Sequence, residues 1–343
     1  MNTLKTKLGQ FYTTNSEYIT QNLLTVFPEN EIVVDPFVGN GDLLRLISNE
    51  KEMYDIDPKI SGTIKQDTLK NPPSYENKWI FTNPPYLAKN KNIDKSVYIK
   101  YDTDDLYKAA LLSIIGCKGG VIILPLNFFS SDDKKIKNNF LSKYKIIKVN
   151  VFEETVFEDT SYTVCAFSFI NKENISQNIS FTFYPKLLEL NIELYKKNNY
   201  RIGNDIYELK QSNVKIKRLL IGDPKPNSKI FLNAIDTGTE KGMIKLSLSE
   251  NPFYGKSTDR AFATIIFDRD FSIEEQKKIV EIFNEKLNFY RKKYRSMFLT
   301  NYRNSTSILS RKRIGFKLAY SIISNIIRDH LSSKTIKGDL WKI

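Results

Sequence analysis

Side chains that bind metals or cross-link chains are nearly missing from this 343-residue sequence. It holds one histidine, His330, and two cysteines, Cys117 and Cys165. With no Cys or His cluster, a zinc site is disfavoured and no metal is expected. Both cysteines stand in apolar surroundings, which suits buried thiols in a reducing cytoplasm rather than a bridge. No apolar run approaches the ~20 residues that cross a bilayer. The N-terminus lacks the apolar core of a signal peptide. A cytoplasmic location without a membrane partner is therefore expected. Repeats and long low-complexity tracts are missing too. The complete dinucleotide fingerprint G-x-G-x-x-G is absent, because Leu44 stands where its third glycine belongs, and this disfavours a pyrophosphate site.

What is present is basic charge, unevenly spread. The net charge is +13. Residues 1–172 carry 21 basic and 21 acidic side chains, so the whole excess falls on residues 173–343. A general basic bias explains a high isoelectric point but not this separation. It suggests that one half meets a polyanion while the other does chemistry. The length allows two domains, and a polar stretch around 171–178 places the boundary at 172/173.

Short apolar strands in the first half end on carboxylates. Glu31-Ile32-Val33-Val34-Asp35 reads as a buried strand. Pro36-Phe37-Val38-Gly39-Asn40-Gly41 then forms a glycine turn, and a helix is expected from Asp42 through Ile47. Glycine lets backbone turn tightly and approach a ligand. Tyr54-Asp55-Ile56 ends a second strand, where Asp55 can accept from ribose hydroxyls. Ile64 to Asp67 ends a third, with Asp67 able to accept from an exocyclic amine. Each carboxylate alone reads more readily as a turn or cap residue. Three at successive strand ends mark the carboxyl edge of a parallel sheet, where open α/β folds bind ligands. A fourth strand, Trp79 to Phe81, breaks off in Thr82-Asn83-Pro84-Pro85-Tyr86. Neither proline has an N–H, so the ladder stops and carbonyls are left to face a ligand. Asn83 adds an oxygen acceptor and Tyr86 a flat ring. That pair suits an amino group on a planar heterocycle, although a plain Pro-Pro turn has the same spelling.

Residues 87–105 are polar and lysine-rich without periodicity, and read as a mobile loop beside the site. Further strands are expected at 120–125, 145–152 and 162–170. The fold expected is α/β, with about seven mostly parallel strands, intervening helices and one antiparallel edge strand. Beyond 173, alternating segments at 179–184, 215–220, 243–248 and 261–267 suggest a mixed α+β domain. Ser272-Ile273-Glu274-Glu275 is a capping box. It opens a helix with an apolar stripe, Ile279, Ile282, Phe283, Leu287, Tyr290 and Tyr294, and Arg291 and Lys292 in its last turns. Arg311-Lys312-Arg313 precedes another helix. As phosphate contacts these basic residues are candidates; as a solvated surface they need no partner.

The order Gly9-Gln10-Phe11-Tyr12-Thr13, then Asp35-Pro36-Phe37-x-Gly39-x-Gly41, then Asn83-Pro84-Pro85-Tyr86 resembles the gamma class of DNA adenine-N6 methyltransferases, best known as modification enzymes of type II restriction–modification systems. The resemblance covers about residues 8–172. It implies a doubly wound, Rossmann-like methyltransferase sheet and S-adenosylmethionine as cofactor. Tyr12 and Thr13 would lie by its methionine part. Asp35, Phe37, Gly39 and Gly41 would form its loop, Asp55 and Ile56 would hold the ribose end, and Asp67 the adenine amine. Asn83, Pro84, Pro85 and Tyr86 would receive the target base. Phe169, or else Phe167, would pack on that base's far face; two core phenylalanines is the plainer alternative. In such families a C-terminal domain recognises double-stranded DNA, here 173–343. Its candidate contacts are Arg291, Lys292, Arg311, Lys312 and Arg313, with Lys89 and Lys91 beside the site. The implied protein is a monomeric bacterial enzyme whose cognate restriction endonuclease would be a separate chain. Alternatives are a methyltransferase acting on ribosomal RNA adenine or on protein glutamine, and a non-catalytic DNA-binding protein on the same fold.

Overall fold

The computed structural model describes residues 16–131, 133–154, 156, 163–172, 176–237, 242–303 and 311–331. The chain divides into two units, 1–201 and 202–343.

The first unit is built on one sheet. Its strands are β1 (Val33–Asp35), β2 (Lys51–Asp55), β3 (Ile64–Lys65), β4 (Trp79–Thr82), β5 (Gly119–Pro125), β6 (Tyr144–Phe152), β7 (Val164–Asn171), β8 (Ser176–Tyr184) and β9 (Leu188–Tyr195). They lie in the order β3-β2-β1-β4-β5-β7-β6-β8-β9. Pairing is parallel from β3 through β5 and between β6 and β8, and antiparallel where β7 and β9 join. Every residue of β1, β4 and β5 is buried. This is why those strands read as unbroken apolar runs, for both faces are covered. At Gly120 a Cβ would fall 1.9 Å from the Ile80 carbonyl oxygen, so only glycine lets β5 lie against β4 there.

Four expectations are corrected. The sheet has nine strands rather than seven. The extra pair, β8 and β9, lies beyond the expected boundary at 172/173, which moves to 201/202. The physical reason is Gln177, whose side chain is fully buried. It donates to the carbonyls of Leu141 and Tyr144 and accepts from the Ile146 N–H, so it stitches β8 onto β6 where the β6 register shifts. The helix expected after the glycine turn is a single 3-10 turn, Leu44–Leu46. Only nine residues separate Gly41 from β2, too few for a full crossover helix. Finally, residues 87–105 have their own structure. A 3-10 turn, Lys89–Lys91, and helix α2 (Ser96–Tyr101) lie within them, and helix α3 (Leu106–Ser113) follows, α1 being Ser16–Thr20. Leu87, Val97, Tyr98 and Leu106 form a small core with Leu69. Helices α4 (Asn127–Ser130) and α5 (Lys134–Leu141) follow β5.

The second unit has a four-stranded antiparallel sheet. Its strands β10 (Ile216–Arg218), β11 (Ile230–Asn233), β12 (Lys245–Leu248) and β13 (Phe262–Phe267) lie in the order β10-β13-β11-β12. Helix α6 (Ile273–Lys293) starts at the capping box of Ser272 and Glu275 and buries Ile279, Phe283, Leu287 and Tyr290. Edge strand β12 is closed by a side chain of that helix. Asn284 accepts from the Leu246 N–H at 2.9 Å and donates to the Leu246 carbonyl at 3.0 Å, standing in for a missing strand. A ribbon of β14 (Thr300–Arg303) and β15 (Arg311–Arg313) precedes helix α7 (Phe316–His330).

Candidate active site

The glycine turn is held from both sides by carboxylates. Asp35, at the end of β1, is buried and accepts from Thr82 Oγ1 at 2.6 Å and from the Phe37 N–H at 2.9 Å. Burial pushes its pKa up to about 7; the two hydrogen bonds oppose the shift and the nearby Asp55 charge adds to it. Asp55, at the end of β2, accepts from the Gly39 N–H through one oxygen and from the Asp57 N–H through the other, both at 2.8 Å. Each oxygen keeps a second lone pair. Gly39 and Gly41 have φ of 55° and 77°, left-handed values that suit glycine.

A cavity of about 210 Å³ opens beside this turn. Phe37, Gly39, Asp55, Ile56, Asp67, Asn83 and Pro85 all line it. The glycine turn and the Asn-Pro-Pro loop thus share one space. Ile56 is 42% exposed, an apolar wall next to the Asp55 carboxylate. Asp67 turns Oδ1 to the N–H groups of Leu69 and Lys70. Asp35 and Gly41 do not line the cavity: Asp35 shapes the turn from beneath, and Gly41 completes it by donating to the Val38 carbonyl. Tyr12 and Thr13 lie outside the described residues.

The cavity has further lining that was not legible in the sequence. Asn92, Asp94 and Val97 line it, together with Lys70. Asp94 pairs with Lys70 at 2.8 Å, which with its bond to the Ser96 N–H holds its carboxyl well below the ordinary range. Lys100 donates to the Lys70 carbonyl at 2.6 Å. The opposite charges at 70 and 94 were the available signal, but nothing local said that the two segments meet.

Two aromatic assignments are corrected. The Tyr86 ring does not line the cavity. It is 6% exposed and packs edge-on to Tyr107, with ring centres 6.4 Å apart. Its hydroxyl reaches the Ile123 carbonyl at 2.8 Å and Asn83 Oδ1 at 2.5 Å, and burial raises its pKa well above the usual phenol value. Phe169 and Phe167 are fully buried, packed with Phe140. Because β7 runs antiparallel to β5, with Val164 opposite Pro125 and Phe169 opposite Gly120, Phe169 sits at the edge away from Asn83.

Among the basic candidates, Lys89, Lys91 and Lys292 are exposed. Arg291 is not available to a phosphate. It grips Asp236, itself fully buried, through two hydrogen bonds of 2.8 and 3.3 Å. Lys312 and Arg313 are half-buried on β15; the side chain of Arg311 lies outside what is described.

No family model matches the chain, and no curated protein matches its sequence. Solved structures give distant likenesses. A modification subunit assigned to a type I restriction enzyme of Vibrio vulnificus is 16% identical, with a TM-score of 0.40, over 51% of this chain and 47% of that one. A type I restriction–modification methyltransferase subunit of Streptococcus thermophilus is 16% identical, TM-score 0.40, over 58% and 53%. A protein of Listeria monocytogenes assigned to the class I S-adenosylmethionine-dependent methyltransferases is 13% identical, TM-score 0.38, over 49% and 61%. The match spans about half to three fifths of those proteins, and at such scores it carries no argument about what this chain does.

Proposed function

We propose that this chain is a DNA adenine-N6 methyltransferase using S-adenosylmethionine, with the chemistry in the first unit and target recognition in the second. The observation that carries the proposal is the single cavity lined by Phe37, Gly39, Asp55, Ile56 and Asp67 together with Asn83 and Pro85. The residues fit an adenosyl group: an apolar wall at Ile56 and Phe37 flanked by carboxylates with lone pairs for hydroxyls and an amine. Among the described residues, the cation lining the cavity is Lys70, which is already paired with Asp94, so the site suits a ligand without phosphate. When bound, S-adenosylmethionine supplies an electrophilic sulfonium methyl.

The chain's own task is the acceptor. Adenine N6 shares its lone pair with the ring and is a poor nucleophile. The Asn83 side-chain oxygen and the Pro84 carbonyl each accept one N6 proton. That pyramidalises the nitrogen, aims its lone pair and stabilises the positive charge growing on it. Fixed alignment of nucleophile and donor supplies much of the remainder. In duplex DNA the base must first be extruded, at a cost of about a few kcal/mol. The test uses tritiated S-adenosylmethionine with unmethylated bacteriophage lambda DNA, ribosomal RNA and a release-factor protein as separate acceptors. Label is expected in DNA as N6-methyladenine, and Asn83→Ala should abolish it while calorimetric cofactor binding stays within about twofold. Label in RNA or protein alone would move the substrate to those classes, and no cofactor binding at all would leave a non-catalytic DNA-binding protein.

A further inference from the structure

We propose that the Thr82 hydroxyl is a positioning group that holds the acceptor loop at a fixed distance from the cofactor turn. The inference rests on the reading above, in which the donor binds at the glycine turn and the acceptor amine at Asn83.

Thr82 closes β4 and is fully buried. On one flank the strand is still paired at this residue, with Thr82 opposite Ile122 of β5. On the other flank the register with β1 covers only Trp79 and Ile80, opposite Val33 and Val34. Beyond that point a side chain takes over from the ladder. Thr82 Oγ1 donates to Asp35 Oδ1 at 2.6 Å, and the same oxygen accepts from the Phe37 N–H at 2.9 Å. One carboxylate oxygen therefore ties the turn after β1 to the residue that precedes Asn83. Phe37 and Asn83 both line the cavity. The Asp35 carboxyl titrates near 7, so at pH 8 it is mostly ionised. An ionised carboxylate can only accept, and the hydroxyl must donate. Such a charge-assisted bond is about twice as strong as a neutral one, and its length falls in the range seen here.

The turn has ties of its own. Asp55 accepts from the Gly39 N–H at 2.8 Å, and Thr68 Oγ1 donates to the Pro36 carbonyl at 3.0 Å. Both remain when the Thr82 hydroxyl is removed, so the cofactor's side of the cavity keeps its shape. The Thr82 bond differs from them in joining that turn to the acceptor loop. Its loss frees the spacing between donor and acceptor, and a misplacement of about 1 Å costs a transfer reaction about 100-fold.

Thr82→Val keeps the branched shape and removes the donor, whereas Thr82→Ser keeps the donor and removes the methyl. The measurement is the single-turnover methylation rate on unmethylated lambda DNA at pH 8 with saturating cofactor. Cofactor Kd by calorimetry and the KM for DNA are measured alongside. Thr82→Val is expected to lower the rate constant about 10- to 100-fold, with cofactor Kd and DNA KM within about threefold of the parent. Thr82→Ser should stay within about threefold of the parent in all three. A Thr82→Val protein that transfers methyl at the parent rate overturns the inference. So does a Thr82→Ser protein as slow as Thr82→Val, because the methyl and not the hydroxyl would then matter. Cofactor affinity that falls in step with rate overturns it too, since the hydroxyl would then serve the turn alone. If Thr82→Val does not fold, Thr82→Ala takes its place: it differs from Thr82→Ser by the hydroxyl only, and equal rates for those two overturn the inference. The two ideas fail separately: parent-like transfer by Asn83→Ala sinks the proposed function, whereas a dead Asn83→Ala beside a fully active Thr82→Val sinks only the positioning role.

Discussion

Arg291 and Lys292 are neighbours on α6 with opposite duties. The Arg291 guanidinium holds the buried Asp236, whose other contact is the Ile244 N–H. Arg291→Ala strands that carboxylate inside the unit and is expected to cost roughly 3–5 kcal/mol in urea unfolding. Lys292→Ala should leave stability unchanged within about 0.5 kcal/mol and instead flatten the salt dependence of DNA binding, by about one unit of slope if Lys292 meets a phosphate. Asp35 yields a pH prediction. Its carboxyl titrates near 7 in the folded protein, above the ordinary carboxylate value. The folded state therefore holds a proton that the unfolded chain has released. Its contribution to stability is full below about pH 4 and is lost progressively as pH rises toward 7. Asp35→Asn keeps an oxygen for Thr82 and Phe37 and removes the titration. Relative to the parent, its melting temperature should be higher at pH 8 than at pH 5; a difference independent of pH would refute the raised value.

At the scale of elements, the second unit depends on an asparagine acting as a strand. Asn284 satisfies both backbone groups of Leu246 on β12. Asn284→Leu matches its size but leaves an N–H and a C=O unpaired at a covered edge, and should cost on the order of 2–3 kcal/mol in urea unfolding. Elements with strong local signals were legible. The capping box opens α6, the stripe residues Ile279, Phe283, Leu287 and Tyr290 form its buried face while Ile282 is half-buried, and the alternating segments near 216, 245 and 262 are β10, β12 and β13. The helix after the glycine turn misread, because Leu43, Leu44 and Leu46 have helical spacing in a connection too short to complete a helix. Residues 87–105 misread in the other direction: their order comes from Tyr98, buried with its hydroxyl on the Leu87 carbonyl, a contact that periodicity does not report.

For the whole molecule, the corrected boundary makes a prediction about fragments. Residues 1–201 should be soluble and retain cofactor binding by calorimetry. Residues 1–172 would lose β8 and β9 and uncover the edge of β6, whose residues Val149 and Val151 are buried. An unpaired strand edge of that kind promotes association, so the shorter fragment should aggregate in light scattering. Two well-behaved fragments would restore the earlier boundary. The basic excess of the second half concerns association with a polyanion and says nothing about fold, so DNA affinity of the full chain should fall steeply with salt.

The sequence by itself determined what lies along the chain. The buried central strands, the acidic strand ends at Asp35 and Asp55, the glycine turn and the Asn-Pro-Pro break were readable because apolar runs, glycine and proline act locally on the backbone. Only the tertiary structure decided what meets across it. Strand direction put Phe169 at the far edge, Gln177 drew β8 and β9 into the first sheet, Asp236 claimed Arg291, and the β5 backbone claimed the Tyr86 hydroxyl. Each of those outcomes depends on a partner dozens of residues away, chosen by burial and hydrogen-bond satisfaction, which leave no periodic trace in the neighbourhood of the residue itself.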